Sequence, residues 1–304
     1  MSVELVTKPS ITNSANLDKL KQIRELHRQF GNVVSSNYDI SDVCNLKCEG
    51  CLYFSGTNNV PTGSKGSTEA WSRFFSTEAG RGVNFGYFSG AEPSLTQDVL
   101  RAAMPHIPNG MVTTNGIKKI EKDIRYRIHI SLWGGETQSE ILRGADNGKK
   151  ALKNYAGDDR AVAVYTINRQ NIEDMVPVSK MCADHGVPIT YSYFSPTEDY
   201  LERLKGGGQG ESSYFRERSD DERILLDQTD FARVRNYIAE AQDKYPDFVW
   251  YSLDYDDWLT RPEGIYKLDA NGLAVDCGVR MAAHHKHFNV DLERNEGKCC
   301  SPQY

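Results

Sequence analysis

The sequence predicts an α/β protein: a partial (β/α)6, TIM-like barrel with a small C-terminal, hairpin-containing extension. Three observations predict it. Between residue 37 and about residue 196, β-branched and aromatic runs alternate six times with intervening segments, most of them with 3.6-period apolar stripes. Such alternation requires parallel strands joined by right-handed crossovers. Six strands are too few for a closed eight-stranded barrel, so the barrel is partial.

The elements follow in order. Residues 1–36 form an N-terminal helical segment, with a helix from Leu17 to Phe30 whose Leu20, Ile23, Leu26 and Phe30 share one face. Residues 37–196 are the barrel core. Strands are expected at 37–43, 83–89, 110–114, 127–132, 160–166 and 188–194, and helices at 67–79, 95–105, 117–122, 137–153 and 171–185. Residues 197–247 hold a loop, read as a lid, and a helix from Thr229 to Lys244. The loop contains Gly206-Gly207-Gly208-Gln209-Gly210, which lacks the flanking strand and helix of a phosphate cradle. Residues 248–304 begin with a strand-like run, Phe248 to Trp258. Its Asp254, Asp256 and Asp257 are either solvated turn residues or a seat for a cationic substrate. Two hairpins follow, Ile265 to Cys277 around Asn271-Gly272, and Phe288 to Cys300.

Composition narrows the function. The chain has 304 residues and a net charge of −6, with no long basic run, which argues against a nucleic-acid partner. No apolar run reaches the roughly 18 residues of a membrane span. The N-terminus lacks a signal-peptide pattern. Seven unevenly spaced cysteines are not a disulfide framework and point to a reducing, cytoplasmic location.

The chemistry starts at Cys44-Asn-Leu-Lys-Cys48-Glu-Gly-Cys51, directly after the first strand. Random placement of seven cysteines would give this spacing only ~0.004 times in such a chain, so chance does not explain it. Three thiolates cannot complete a closed structural zinc site, nor a four-cysteine [4Fe–4S] cluster. Either a distant fourth ligand completes a zinc knuckle, or a cluster keeps one iron open.

CxxxCxxC after a first strand resembles the radical S-adenosylmethionine (SAM) superfamily. The resemblance implies that Cys44, Cys48 and Cys51 bind a [4Fe–4S] cluster whose open iron chelates SAM. Reductive cleavage of SAM would then give a 5′-deoxyadenosyl radical. Family members often carry an aromatic residue where this chain has Gly50. Later strands end in further motifs of that family. Ser89-Gly90-Ala91-Glu92-Pro93 resembles its GGEP motif, implying that Gly90, Ala91 and Glu92 lie at the SAM amino group. Thr113-Thr114-Asn115-Gly116 implies Asn115 near the ribose, although Asn-Gly is also an ordinary turn. Ile130-Ser131-Leu132-Trp133-Gly134 implies Ser131 facing the ribose, with Trp133 in place of the usual aspartate. Arg143 would pair with the SAM carboxylate, since a guanidinium fork matches that group; a surface arginine is the alternative. Tyr53 and Asn168 would contact the adenosine; packing is the alternative for Tyr53. The literal Gly134-Gly135-Glu136 follows the fourth strand, not the second, and is not the SAM motif.

The tail resembles a truncated SPASM, or twitch, extension. That implies an auxiliary Fe–S cluster with Cys277 as a ligand. Two other readings stay open: Cys299 or Cys300 as a hydrogen-atom donor, and plain packing or zinc. Cys182 reads as a buried small hydrophobe. The expected activity is hydrogen abstraction from a small polar metabolite, leading to oxidation, rearrangement or bond formation, with a flavodoxin or ferredoxin as reductase. The alternatives are modification of a ribosomal peptide, an epimerase with a C-terminal cysteine donor, and a non-catalytic Fe–S or zinc module.

Overall fold

The computed structural model describes residues 33–54, 66–206, 210–211, 216–217, 224–270, 274–276 and 284–295. The expected helix Leu17–Phe30 lies outside them, as do Cys277, Cys299 and Cys300.

Six parallel strands form the sheet in sequence order: β1 (Ser35–Asp39), β2 (Phe85–Ser89), β3 (Asn109–Thr114), β4 (Arg127–Leu132), β5 (Ala161–Ile167) and β6 (Ile189–Tyr193). They match the six expected strands to within a few residues. Alternate side chains divide the sheet into two faces. On one face Tyr38, Phe88, Val112, Ile128, Ile130, Ala163, Tyr165 and Ile189 are buried. They share one core with apolar residues of α1 (Thr68–Gly80), α2 (Gln97–Ala103), α4 (Gly148–Tyr155), α5 (Met175–Asp184) and α7 (Gln228–Lys244). On the other face Asn37, Tyr87, Met111, His129, Val164 and Thr190 are only half-buried. An open doubly wound sheet carries helices on both faces, whereas a barrel carries them outside. The one-sided core is therefore that of a partial barrel, and the half-buried face is its interior.

The crossovers differ from expectation in two places. Residues 117–122 are not helical. There the backbone is satisfied by side chains: Ile120 N–H donates to Tyr155 Oη at 2.9 Å, and Arg160 donates to the carbonyls of Ile120, Glu121 and Ile124. The helix expected over 137–153 is two, α3 (Glu136–Arg143) and α4. Gly144 divides them at φ +83°, a left-handed stop that glycine adopts without strain.

The segment after β6 contains α6 (Glu198–Lys205), capped by Thr197, whose hydroxyl accepts from Tyr200 N–H at 3.2 Å. The short strands β7 (Gly210–Glu211) and β8 (Arg216–Glu217) pair antiparallel. The run from Phe248 to Trp258 is not a strand. Val249 makes one bridge to Ile189, and then α8 (Leu253–Leu259) begins. Ser252 caps it, and Asp254 and Asp256 favour the helix N-terminus electrostatically.

The tail returns to the sheet. β9 (His287–Phe288) pairs parallel with β1, and β10 (Arg294–Asn295) pairs antiparallel with β9, in keeping with the expected second hairpin. Phe288 stacks on Tyr38 with ring centres 5.9 Å apart. Arg81, at the end of α1, holds Glu78 and donates to the His284 carbonyl at 2.6 Å. Leu268 and Ala274 form an antiparallel bridge where the first hairpin was expected. No helix among the described residues is long and apolar enough to cross a membrane.

Candidate active site at the carboxyl ends of the strands

The cysteine loop leaves the carboxyl end of β1, where barrel chemistry is placed. Leu46 and Phe54 are buried and anchor it, while Cys44, Cys48 and Cys51 stay partly accessible. The loop closes the end of α3. Lys47 N–H donates to the Arg143 carbonyl at 3.0 Å, and Glu49 N–H to the Leu142 carbonyl at 2.7 Å. These are carbonyls that a helix terminus leaves without intrahelical partners.

A strap from the segment after β6 holds the loop from its other side. Arg216 N–H donates to the Cys48 carbonyl at 3.2 Å, and Gly50 N–H to the Arg216 carbonyl at 3.1 Å. Tyr200 Oη donates to Glu49 Oε1 at 2.6 Å. Gly50 has φ +53°, and a Cβ there would lie 3.0 Å from the Tyr200 ring. That accounts for glycine at this position. Tyr200, Phe194, Leu201, Ile224 and Leu225 form a second apolar cluster with Trp133 and Leu142. Tyr200, Leu201 and Arg216 were not legible as site residues; the Thr197 cap was the available signal for α6.

The motif after β2 packs directly on the β1 loop. Ala91 N–H donates to the Ser41 carbonyl at 2.8 Å. Gly90 has φ +118°, and a Cβ would come within 2.6 Å of that carbonyl oxygen. Glycine is required by this close approach. Glu92 is 1% exposed and fully engaged within the protein. It accepts from Ser94 N–H (3.0 Å), Thr114 Oγ1 (2.5 Å) and Asn115 N–H (2.8 Å). Its carboxylate is thus a strut between the β2 and β3 ends.

Asn115 is brought to the cysteines. Its Nδ2 donates to Asn45 Oδ1 at 2.7 Å and lies 3.9 Å from Cys44 Sγ. Arg143 reaches the loop from α3. Its Nε lies 3.4 Å from Cys48 Sγ, and Nη1 donates to the Ser131 carbonyl and to Asn147 Oδ1. Asn147 joins the β3 and β4 ends through the carbonyls of Asn115 (2.7 Å) and Ser131 (3.2 Å), a role the sequence did not reveal. Trp133 lies beneath the guanidinium, 6.0 Å from its ring centre. Asn168 is buried after β5; its Oδ1 accepts from Gln170 N–H, while its Nδ2 has no hydrogen-bond partner among the described residues. Tyr53 is half-buried against Phe54.

Burial pushes the Cys44 thiol up to about 12, with Cys48 adding to the shift. Burial likewise pushes Cys51 up to about 11. A metal reverses this, because coordinated thiols are deprotonated. Among the described residues no three His, Cys, Asp or Glu side chains form a set for a metal ion. A single-ion zinc site would bring its sulfurs to about 2.3 Å from one point. Three thiols on one loop, with an amide and a guanidinium near two of the sulfurs, are a donor set able to hold an iron–sulfur cluster with one iron left open.

No family sequence model matches the chain, and no curated protein matches it in sequence. Solved structures match by fold. SuiB of Streptococcus suis bound to S-adenosylmethionine aligns at 13% identity and TM-score 0.56, over 98% of this chain and 71% of that one. SuiB bound to its precursor peptide SuiA aligns at 14% identity and TM-score 0.59, over 100% and 71%. The protein anSMEcpe with bound AdoMet aligns at 14% identity and TM-score 0.59, over 90% and 75%. The partial barrel described above is the fold shared with these solved structures.

Proposed function

We propose that this protein is a radical SAM enzyme. The observation that carries the reading is convergence at one edge of the sheet. Asn115, from the end of β3, and Arg143, from the α3 that follows β4, both reach the cysteine loop that leaves β1, at Cys44 and Cys48. The solved proteins of like fold that hold SAM support it. When bound, the cluster and SAM supply a reductively generated carbon radical that abstracts a hydrogen atom. The chain's own part is to hold, orient and shield.

In this reading Cys44, Cys48 and Cys51 hold the cluster. Gly90 and Ala91 offer close backbone, and Glu92 fixes that backbone against β3. Tyr53, Ser131 and Asn168 line the place for the nucleoside. The half-buried inner face receives the substrate, with Asn37, Tyr87, His129, Thr166 and Thr190 offering polar groups. That lining favours a small polar metabolite. A second reading, a peptide substrate, is favoured by the likeness to SuiB bound to SuiA. Reduction by a flavodoxin or ferredoxin belongs to the same proposal.

The test is anaerobic incubation of reconstituted protein with SAM and dithionite. The expected result is 5′-deoxyadenosine from the wild type and none from Cys48→Ala, which also loses its iron. A wild type that holds iron yet makes no 5′-deoxyadenosine overturns the reading. Deuterium transfer from labelled metabolites or peptides into 5′-deoxyadenosine then separates the two substrate classes.

A further inference from the structure

Resting on the radical SAM reading, we infer that Arg143 is a positioning residue that sets the reduction potential of the cluster, acting through the Cys48 sulfur. The resemblance implied a different task for it, the SAM carboxylate. The geometry points to the protein's own thiolate. Arg143 is 4% exposed, and a guanidinium stays protonated in proteins. Among the described residues no carboxylate forms a salt bridge with it. Its partners are the Cys48 sulfur, the Ser131 carbonyl, Asn147 Oδ1 and the Trp133 ring.

A buried cation without an anion is costly. The partner the fold offers is the Cys48 sulfur, 3.4 Å from Nε, which as a cluster ligand would be a thiolate. The contact is held from both ends. Backbone bonds from Lys47 and Glu49 fasten the cysteine loop to the last carbonyls of α3, the helix that carries Arg143. Asn147 and Trp133 fix the guanidinium itself. One-electron reduction adds one negative charge to the cluster. A cation and an N–H donor at a ligating sulfur favour the reduced form, so they raise the potential.

The test uses full-length reconstituted protein without SAM, titrated with dithionite and followed by electron paramagnetic resonance. Arg143→Gln is expected to lower the reduced-to-oxidised ratio at a fixed potential about tenfold, which is ~59 mV for a one-electron couple. Arg143→Lys is expected to fall between it and the wild type. Iron content and circular dichroism report cluster and fold in each variant. Unchanged potentials at equal iron content overturn the inference and leave the enzyme reading intact. A wild type that assembles no cluster overturns the enzyme reading itself. Should both variants fail to assemble, the wild type labelled with 15N-arginine decides. A hyperfine coupling from an arginine nitrogen to the reduced cluster supports the contact, and its absence overturns it.

Discussion

At the scale of single residues, two buried polar groups make the sharpest statements. Tyr200 donates to Glu49 in a buried contact beside the cysteines. Tyr200→Phe removes that donor from a buried acceptor and is expected to cost about 1–3 kcal/mol in chemical denaturation. It should also weaken iron retention, because the same contact holds the loop. Asp256 is 1% exposed and accepts from Tyr193 (2.8 Å) and Tyr251 (3.1 Å). Burial pushes its carboxyl above the usual 3.8. A raised carboxyl contributes stability below pH 3.8 and loses it as pH rises through the raised value. Asp256→Asn, which keeps an acceptor and never ionises, should therefore gain on the wild type as pH rises from 4 to 7 in paired thermal melts. Cys182 is fully buried, and burial raises its thiol well above the ordinary range. It behaves as the small hydrophobe the sequence suggested.

At the scale of elements, positive-φ glycines decide how loops approach one another. Gly90→Ala would drive a Cβ into the Ser41 carbonyl at φ +118°. It is expected to cost about 1–3 kcal/mol and to displace the β2 loop from the cysteine loop, read as lower SAM affinity at equal iron content. Gly144→Ala would strain the stop of α3 and press on the Arg216 guanidinium, 3.2 Å from the added Cβ. Gly90 was legible because its motif follows the second strand. Gly144 was not, because the apolar stripe continues across it and isolated glycines inside a helical pattern, here Gly144 and Gly148, are tolerated often enough to be overlooked. The 117–122 turn was misread for a related reason. Its helical pattern was overridden by a tyrosine and an arginine from distant positions that satisfy its backbone.

At the scale of the whole molecule, the tail finishes the barrel edge. β9 covers the side of β1 that would otherwise expose unpaired backbone. Phe288 packs on Tyr38 and Phe74, with ring centres 5.9 and 4.8 Å away. Phe288→Ala is expected to cost about 3–5 kcal/mol in equilibrium unfolding. Because β1 leads directly into Cys44, the same variant should lower cluster occupancy, measured as iron per chain.

The sequence by itself determined the six-strand alternation, the cysteine loop after the first strand, and the order of motifs after the next three. These are local signals: period, spacing and turn residues lie within short windows. Only the tertiary structure decided which groups several of the candidate site residues meet. Glu92 is a strut, and Arg143 lies on a cysteine sulfur. The strap from α6 and β8 closes on the cysteine loop, and the tail pairs with β1. The physical reason is that hydrogen-bond partners such as Glu49 and Tyr200, or Cys48 and Arg143, are far apart in the chain. No short-range pattern records such a pairing; the packing of the barrel does.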